Sequence, residues 1–194
     1  MREAFELLNG KDLRIVTIHY GYNHALFHAH KKAEEEKASL LGNYILFVGS
    51  IEPKKNLLGL LKAYLLLSNY MKKDFQLLLT GYKGWRNQEI VERMDQLKGR
   101  VHYLGYLNNE ELATLYRGAS CLVFTSFYEG FGLPPLEAMA CGCPVIVFNV
   151  ASLPEVCGDA AYYMDPYDVE SIAEGIHKVL MDEAMRQNLI KKGL

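Results

Sequence analysis

The sequence predicts an α/β fold, in which a doubly wound parallel sheet is covered by helices on both faces. Short apolar runs that are typical of buried strands alternate along the chain with segments of helical periodicity. The loops between them are rich in glycine, and no internal repeat or low-complexity tract interrupts the alternation. We therefore expect a single Rossmann-like domain over residues 43–194.

Length and composition agree with this fold class but indicate no particular partner. The chain has 194 residues, of which 50% are hydrophobic, and its formal net charge is −2. A chain of this length can bury a substantial core as one domain. The charge balance gives no hint of a nucleic acid or another polyanion. We expect no transmembrane segment, because no apolar run is long enough, and no signal peptide at the start.

Residues 1–42 are predicted to be a polar linker that leads into the domain. Within them we expect the end of a helix at residues 4–8, a strand at 14–18 and a solvated, charged helix at 31–37. Four histidines lie between the strand and the charged helix, namely His19, His24, His28 and His30. A metal site is one interpretation of this cluster, but the spacing fits no pattern of ligands, so we expect none.

The first strand of the domain is predicted at residues 43–49, an apolar run that ends in glycine. A loop follows at residues 50–56, and a helix is predicted at residues 57–70. The apolar stripe of this helix is predicted to contain Leu58, Leu61 and Leu65.

Two lysines, Lys54 and Lys55, lie in the loop after this first strand. Open α/β sheets bind their ligands at the carboxyl ends of the strands, which is where this loop lies. A solvated lysine pair is the alternative interpretation. The pair is therefore a candidate for binding an anionic ligand.

The alternation of strands and helices then repeats. The predicted order is a strand at residues 75–80, a glycine loop at 81–85, a helix at 87–98, a strand at 101–104 and a loop at 105–107. Asn108 or Asn109 is expected to cap the next helix, because asparagine accepts hydrogen bonds from free amides at a helix start.

A strand at residues 119–124 precedes the most informative stretch of the chain, a turn that contains Gly130 and Gly132. A short helix is predicted to begin at Pro134, since proline is tolerated in a first helical turn, and to end at Gly142. Another strand is predicted at residues 144–148. A short turn or helix at 152–156, a strand at 160–164 and an amphipathic helix from residue 168 to the end complete the domain.

A glycine turn between a strand and a helix N-terminus is a natural anion site, because free amides and the helix dipole both favour negative charge. Glu129 precedes the glycines, and Glu137 is expected near the third position of the helix. The amides could bind the phosphates of a ligand, and the two carboxylates could accept hydrogen bonds from its hydroxyl groups. A nucleotide sugar carries both kinds of group. The alternatives are that Glu129 is a solvated loop charge and that Glu137 belongs to a capping box.

The four cysteines all lie in the second half of the chain, at Cys121, Cys141, Cys143 and Cys157. No histidine or cysteine partners lie at zinc-like spacing around the C-x-C pair. We therefore expect four buried thiols in a reducing compartment and no disulfides.

Residues 126–145, S-F-Y-E-G-F-G-L-P-P-L-E-A-M-A-C-G-C-P-V, closely resemble the signature of the retaining glycosyltransferases of family four. The resemblance extends from about residue 15 to the chain end, with matches at FVGSIEPKKN, LTGYKGW, HYLGYL, ELATLYRGA and SLPEVCGDAA. It implies the architecture called GT-B, which has two facing Rossmann-like domains. This chain would be the C-terminal, donor-binding domain.

The resemblance also implies roles for individual residues. Lys55 would neutralise the donor diphosphate. The family often has an arginine where this chain has Ser50, and Lys54 would substitute for that arginine. Glu137 would hold the ribose, and Glu129 would contact the transferred sugar, so Lys55 and Glu129 are the catalytic candidates. The remaining donor-binding candidates are Gly49, Ser50, Gly81, Tyr106, Leu107, Gly130, Phe131, Gly132 and Leu133. Tyr106 could stack on the base or simply pack as an aromatic side chain.

The expected reaction is a metal-independent transfer of a hexose, with retention, from GDP-mannose or a UDP-hexose to a glycan or lipid-linked sugar. It would serve polysaccharide biosynthesis in the cytoplasm, and a position at the inner face of the membrane through the full-length enzyme is the alternative setting. The chain holds only the donor half, so we expect it to need a missing N-terminal acceptor domain for activity. No cofactor and no nucleic-acid partner are expected.

Two other classes of protein share this fold class. A dinucleotide-binding oxidoreductase domain would need G-x-G-x-x-G after the first strand, where this chain has G-S-I-E-P-K-K-N. A non-catalytic nucleotide-binding or interaction module of the same fold is the second alternative, since fold alone does not decide function. Binding of NAD compared with GDP or UDP would separate the oxidoreductase, and a lack of nucleoside diphosphate binding would favour an interaction module.

Overall fold

Six parallel strands form one sheet in the computed structural model, which describes residues 16, 18–29, 41–67, 69–85 and 88–194. The strands are β1 (Tyr44–Val48), β2 (Gln76–Thr80), β3 (Val101–Tyr103), β4 (Cys121–Phe124), β5 (Val145–Phe148) and β6 (Ala161–Met164). Their spatial order is β3-β2-β1-β4-β5-β6. The predicted doubly wound parallel sheet is therefore confirmed.

The strand order places a topological switch point between β1 and β4. Ile45 of β1 pairs with Leu77 of β2 on one side and with Cys121 of β4 on the other. The chain builds the sheet outward from β1 in one direction and then returns to build it in the other. The loops after β1 and β4 diverge at such a point, and the crevice between them is where ligands bind in this class of fold.

Helices cover both faces of the sheet. They are α1 (Leu57–Leu66), α2 (Asn69–Asp74), α3 (Gln88–Gln96), α4 (Asn109–Gly118), α5 (Leu133–Ala140), α6 (Leu153–Cys157), α7 (Val169–Met181) and α8 (Glu183–Gly193). Buried residues of α1, α3, α7 and α8 pack on one face, and those of α4, α5 and α6 pack on the other. Every residue of β1 is buried, as expected for a strand at the centre of a sheet covered on both sides.

The four cysteines are free and buried, which confirms their predicted place in the core. Burial raises the pKa of the Cys141 thiol to about 11 and that of Cys121 to about 12. Both thiols therefore stay protonated near neutral pH, and a protonated thiol is a poor nucleophile and a poor metal ligand.

The predicted helix at residues 57–70 is wrong in one respect, because it is two helices. Leu67 has an extended backbone, with φ −58° and ψ 145°, and separates α1 from α2. Its side chain is buried, so core packing stabilises the break. The predicted stripe is also wrong at Leu65, which is 40% exposed; the buried residues of α1 are Leu57, Gly59, Leu60, Leu61, Ala63 and Tyr64.

The helix predicted from residue 168 to the end is likewise divided, into α7 and α8. Asp182 lies between them in an extended conformation, and its carboxylate accepts a hydrogen bond from the Met185 amide at 2.9 Å. An aspartate that caps a new helix N-terminus competes with continuation of the preceding helix, which explains the division.

The linker predicted at residues 1–42 lies partly outside the described residues, as do the predicted helices at 4–8 and 31–37. Of the predicted strand at 14–18, Val16 and Ile18 are described, and neither lies in a strand. Residues 23–27 form a turn that buries Phe27 against Tyr116 of α4, with ring centroids 6.0 Å apart. Among the described residues, no helix is long and apolar enough to cross a membrane.

Candidate active site

Lys55 and Glu129 meet at the switch point, in the loops that follow β1 and β4. The Nζ of Lys55 contacts the Oε1 of Glu129, and only 13% and 18% of the two side chains are exposed. The Nζ also lies 5.5 Å from the centre of the Phe124 ring, within reach of a cation–π interaction. The alternative in which both are solvated surface charges is therefore wrong for this lysine and this glutamate.

Hydrogen bonds between the two loops hold this pair in place. The hydroxyl of Thr125 donates to the carbonyl oxygen of Lys55 at 2.8 Å, and the amide of Phe127 donates to that of Lys54 at 3.0 Å. The lysines themselves lie in a single 3₁₀ turn, Pro53–Lys55. Asn56 ends that turn in the left-handed conformation, with φ 48°. These backbone contacts thus direct Lys55 into the crevice independently of a ligand.

Ser152, just before α6, fixes the other side of the loop after β4. Its hydroxyl lies 2.8 Å from the carbonyl oxygen of Phe131 and 3.0 Å from that of Glu129, so it can donate to either. The sequence contained no signal for this role, since the target of the hydroxyl depends on how two distant loops meet. Ser152 is a positioning residue for the glycine turn.

The glycine turn leads into α5, as predicted. Gly132 is the N-cap with φ 103°, a conformation that favours glycine, and a Cβ there would lie 2.8 Å from Leu153 Cδ2. Pro134 and Pro135 are the second and third residues of α5 and carry no N–H. The N-terminus of α5 therefore offers an anion fewer N–H donors than a helix usually does. The amides of residues 130–133 are the donors that remain.

Glu137 lies in a different environment from the one predicted. Because α5 begins at Leu133, Glu137 is its fifth residue and not its third. Gly132 has no side chain, so the capping-box alternative is also wrong. The Oε2 of Glu137 accepts a hydrogen bond from the Tyr116 hydroxyl of α4 at 3.3 Å, and burial raises the pKa of Glu137 above its ordinary 4.5.

Lys54 and Ser50 both turn towards Glu52. The hydroxyl of Ser50 donates to Glu52 Oε1 at 2.6 Å, and Lys54 Nζ lies 3.3 Å from the same oxygen. The hydrogen bond from Ser50, with a further contribution from Lys54, lowers the pKa of Glu52. The Lys54 side chain is 59% exposed, whereas that of Lys55 is 13% exposed. The interpretation as a solvated lysine therefore suits Lys54 better than Lys55. The two lysines therefore have different environments.

The loops after β1 and β2 touch at two glycines, Gly49 and Gly81. Gly81 has φ 140°, and a Cβ on it would lie 2.1 Å from the carbonyl oxygen of Gly49. The amide of Gly81 donates to the carbonyl oxygen of Gly105 at 2.9 Å. These contacts bring the loops after β1, β2 and β3 side by side, with no room for a side chain between the first two.

Tyr106 stacks on Tyr82, with ring centroids 4.3 Å apart and the planes 19° apart, and its own side chain is 59% exposed. Leu107 is half-buried and lines a cavity of about 680 Å³ between residues 25–26 and α4. These two donor-binding candidates are therefore at the β3 end of the ligand edge. The Tyr106 ring has one neighbour already and keeps an exposed side.

The structure brings together Lys55, Glu129 and the glycine turn, while Glu137 is paired separately with Tyr116. Tyr116 and Ser152 are the partners that sequence analysis missed. Of the four clustered histidines, His30 lies outside the described residues. His19 contacts Glu155 at 2.7 Å, and His24 packs on Tyr22. Among the described residues, no three histidine, cysteine or acidic side chains cluster as metal ligands would.

Comparison with known proteins shows the family of the chain. The model of the family described as glycosyl transferases group 1 matches residues 29–194. The chain is 47% identical over 154 residues to the O-antigen chain mannosyltransferase B of Escherichia coli. That match covers 78% of this chain and 40% of the relative, so the chain spans less than half of that protein's length.

Two solved structures have the same fold. Anabaena HepE in complex with UDP superposes with a TM-score of 0.84 at 19% identity, over 99% of this chain and 55% of that one. The C-terminal domain of a glycosyl transferase group 1 family protein (LpcC) from Francisella tularensis gives 0.75 at 23% identity, over 89% and 94%. The fold of this chain is thus the Rossmann-like fold of these structures, and the chain belongs to the glycosyl transferases group 1 family.

Proposed function

We propose that this chain is the donor-binding half of a retaining hexosyltransferase that uses a nucleotide diphosphate sugar. The observation that carries the proposal is the meeting of Lys55 and Glu129 at the switch point, beside the glycine turn. A lysine ammonium has three protons, so Lys55 can bond Glu129 and still donate to a phosphate oxygen. A cation, free amides and a carboxylate in one crevice match the diphosphate and hydroxyls of such a donor.

GDP-mannose is the donor we favour, with a UDP-hexose as the second choice. The relatives from Escherichia coli carry the name mannosyltransferase, including one that is 36% identical over 160 residues. UDP is the ligand of the HepE structure, which supports a nucleoside diphosphate as the class of ligand. It is also the reason why a UDP-hexose stays the second choice. The acceptor is proposed to be a growing glycan or a lipid-linked sugar.

In the proposed reaction, the bond between the anomeric carbon and the β-phosphate oxygen breaks, and its electron pair stays on that oxygen. The acceptor hydroxyl forms the new bond to the same face of the anomeric carbon, and its proton passes to the departing β-phosphate oxygen. Lys55 and the amides of residues 130–133 stabilise the negative charge of the leaving diphosphate, and such preorganised electrostatics is commonly the largest catalytic contribution. Glu129 holds Lys55 and faces the transferred hexose. Glu137 accepts hydrogen bonds from the ribose.

Lys55 supplies the positive charge that the leaving group needs, and we therefore propose transfer without a metal ion. A further, N-terminal domain would bind the acceptor and complete the site, so this chain alone should bind donor and transfer little. We also infer a cytoplasmic setting, because the four buried free thiols suit a reducing compartment.

Binding of nucleotides to this chain tests the proposal. Thermal unfolding of the 194-residue chain is followed with GDP, UDP, ADP, their sugars and NAD at millimolar concentration. A ligand that binds only the folded chain stabilises it by about 2.7 kcal/mol at a hundred times its Kd. We expect GDP or UDP to raise the melting temperature and NAD to leave it unchanged. No shift with any nucleoside diphosphate would favour a non-catalytic module instead.

A further inference from the structure

A second feature lies on the β5–β6 side of the crevice, apart from the donor-binding candidates. Phe127, after β4, stacks on Tyr167, after β6, with ring centroids 5.8 Å apart and planes 21° apart. The Phe127 ring is also supported by Phe148 at the end of β5, at 5.9 Å. We refer to Phe127 and Tyr167 as the aromatic platform.

The platform is unusually open to solvent for two stacked rings. Tyr167 is 87% exposed and Phe127 is 36% exposed, while Tyr128, the neighbour of Phe127 in the sequence, is 71% exposed. Scattered exposed aromatics need no explanation, but several at one place on a ligand-binding edge indicate a contact surface.

Polar groups lie beside the platform in a cavity of about 520 Å³. The cavity is lined by Asn149, Val150, Tyr163, Met164, Asp165, Pro166 and Tyr167. The exposed side chain of Asn149 offers an amide, and Asp165 offers a carboxylate that accepts one bond from the Tyr167 amide at 2.9 Å. A carboxylate has about four acceptor positions, so Asp165 keeps capacity for a ligand.

This combination matches the chemistry of a hexose. One face of a hexose ring presents C–H groups, which pack on an aromatic ring, and the ring's edge presents hydroxyl groups. Amide and carboxylate groups next to an aromatic wall can receive those hydroxyls while the ring covers the wall. An anionic ligand finds no such match here, since neither Lys nor Arg is among the described residues that line the cavity.

The position of the platform indicates which substrate would use it. The donor-binding candidates Gly81 and Tyr106 follow β2 and β3, on one side of the switch point. The platform lies on the opposite side of the switch point, after β4 and β6. The amide of Phe127 bonds the carbonyl oxygen of Lys54 at 3.0 Å, so the platform begins directly beside the loop that carries Lys55.

We infer that the aromatic platform and its cavity bind hexose units of the acceptor saccharide, so that this domain holds part of the acceptor as well as the donor. The inference rests on the proposed function, because it takes the donor side of the crevice as occupied by the nucleotide. It adds a second sugar site to a domain proposed above to bind only the donor.

The test uses the 194-residue chain and α-linked mannotriose as the probe, with saturation-transfer NMR and a titration in the presence and absence of GDP. We expect saturation transfer to mannotriose in both conditions. Tyr167→Ala should weaken mannotriose binding by about twofold to tenfold, the effect of losing one aromatic stacking partner. Tyr167→Phe, which keeps the ring, should restore most of the affinity.

Tyr82→Ala is the matched control, because Tyr82 is an exposed tyrosine at the other end of the same edge. It should leave mannotriose binding unchanged, and Tyr167→Ala should leave GDP binding unchanged. Absence of saturation transfer, or equal affinity of wild type and Tyr167→Ala, would overturn the inference. GDP binding in the same samples reports separately on the proposed function, so the two failures are distinguishable.

Discussion

The ammonium group of Lys55 contacts the carboxylate of Glu129 although 74 positions separate the two residues in the chain. The contact exists because β1 and β4 are neighbours in the sheet while β2 and β3 lie to one side. Each side chain has little exposure to solvent, so the attraction between the two opposite charges offsets part of their loss of hydration. The pair is thus a consequence of the strand order and the central element of the proposed donor site.

Lys55→Ala should weaken binding of GDP or UDP strongly. A hydrogen bond to a charged group contributes about 1.5–3 kcal/mol, which corresponds to a loss of roughly tenfold to 150-fold in affinity. Isothermal titration calorimetry measures the change. Lys54→Ala is the matched control, and since Lys54 is 59% exposed we expect its loss of affinity to stay below about fivefold. A larger effect at Lys54 than at Lys55 would contradict the assignment.

Glu137→Gln should change how stability depends on pH. Burial raises the pKa of Glu137 above its ordinary 4.5. At a pH between the ordinary pKa of the unfolded chain and the raised pKa of the folded chain, the folded chain keeps a proton that the unfolded chain has lost. The free energy of unfolding therefore falls as the pH rises through this range. The stability of Glu137→Gln relative to wild type should therefore increase as the pH rises above 4.5. Urea unfolding at several pH values measures it, and a constant difference would show that Glu137 has no raised pKa.

Gly81→Ala should destabilise the fold severely. The added Cβ would lie 2.1 Å from the carbonyl oxygen of Gly49, and the backbone φ of 140° is unfavourable for alanine. We expect a loss of more than about 2 kcal/mol in the free energy of unfolding, because the clash is with backbone and not with a flexible side chain. The control is Gly130→Ala, where a Cβ meets nothing within 4 Å. Its stability should stay within about 0.5 kcal/mol of wild type.

Ser152→Ala should loosen the glycine turn. The variant loses a hydroxyl that bonds the carbonyl oxygen of Phe131 or Glu129, at a cost of about 0.5–1.5 kcal/mol in stability. Binding of GDP should weaken as well, since Glu129 and the turn amides lose their support. Thr114→Ala removes a hydroxyl that bonds a carbonyl within α4 and should leave GDP binding unchanged. Equal affinities for wild type and Ser152→Ala would remove the positioning role.

The sequence indicated the central strands and the candidate pair because their signals are local. The apolar run before Gly49 and the turn at Gly130 identify the ends of β1 and β4, and a parallel sheet places strand ends on one edge. The division between α7 and α8 was missed, because in the sequence Asp182 is as compatible with the surface of one long helix as with the N-cap of a second helix. Tyr116 and Ser152 could not have been found, since their partners are set by how α4 and α6 pack.

A crystal structure of the chain with bound GDP tests the central claim most directly. The account predicts that the diphosphate lies within hydrogen-bond distance of Lys55 Nζ and of at least one backbone amide of residues 130–133. A diphosphate bound instead in the cavity beside Leu107 and α4, away from Lys55, would contradict it.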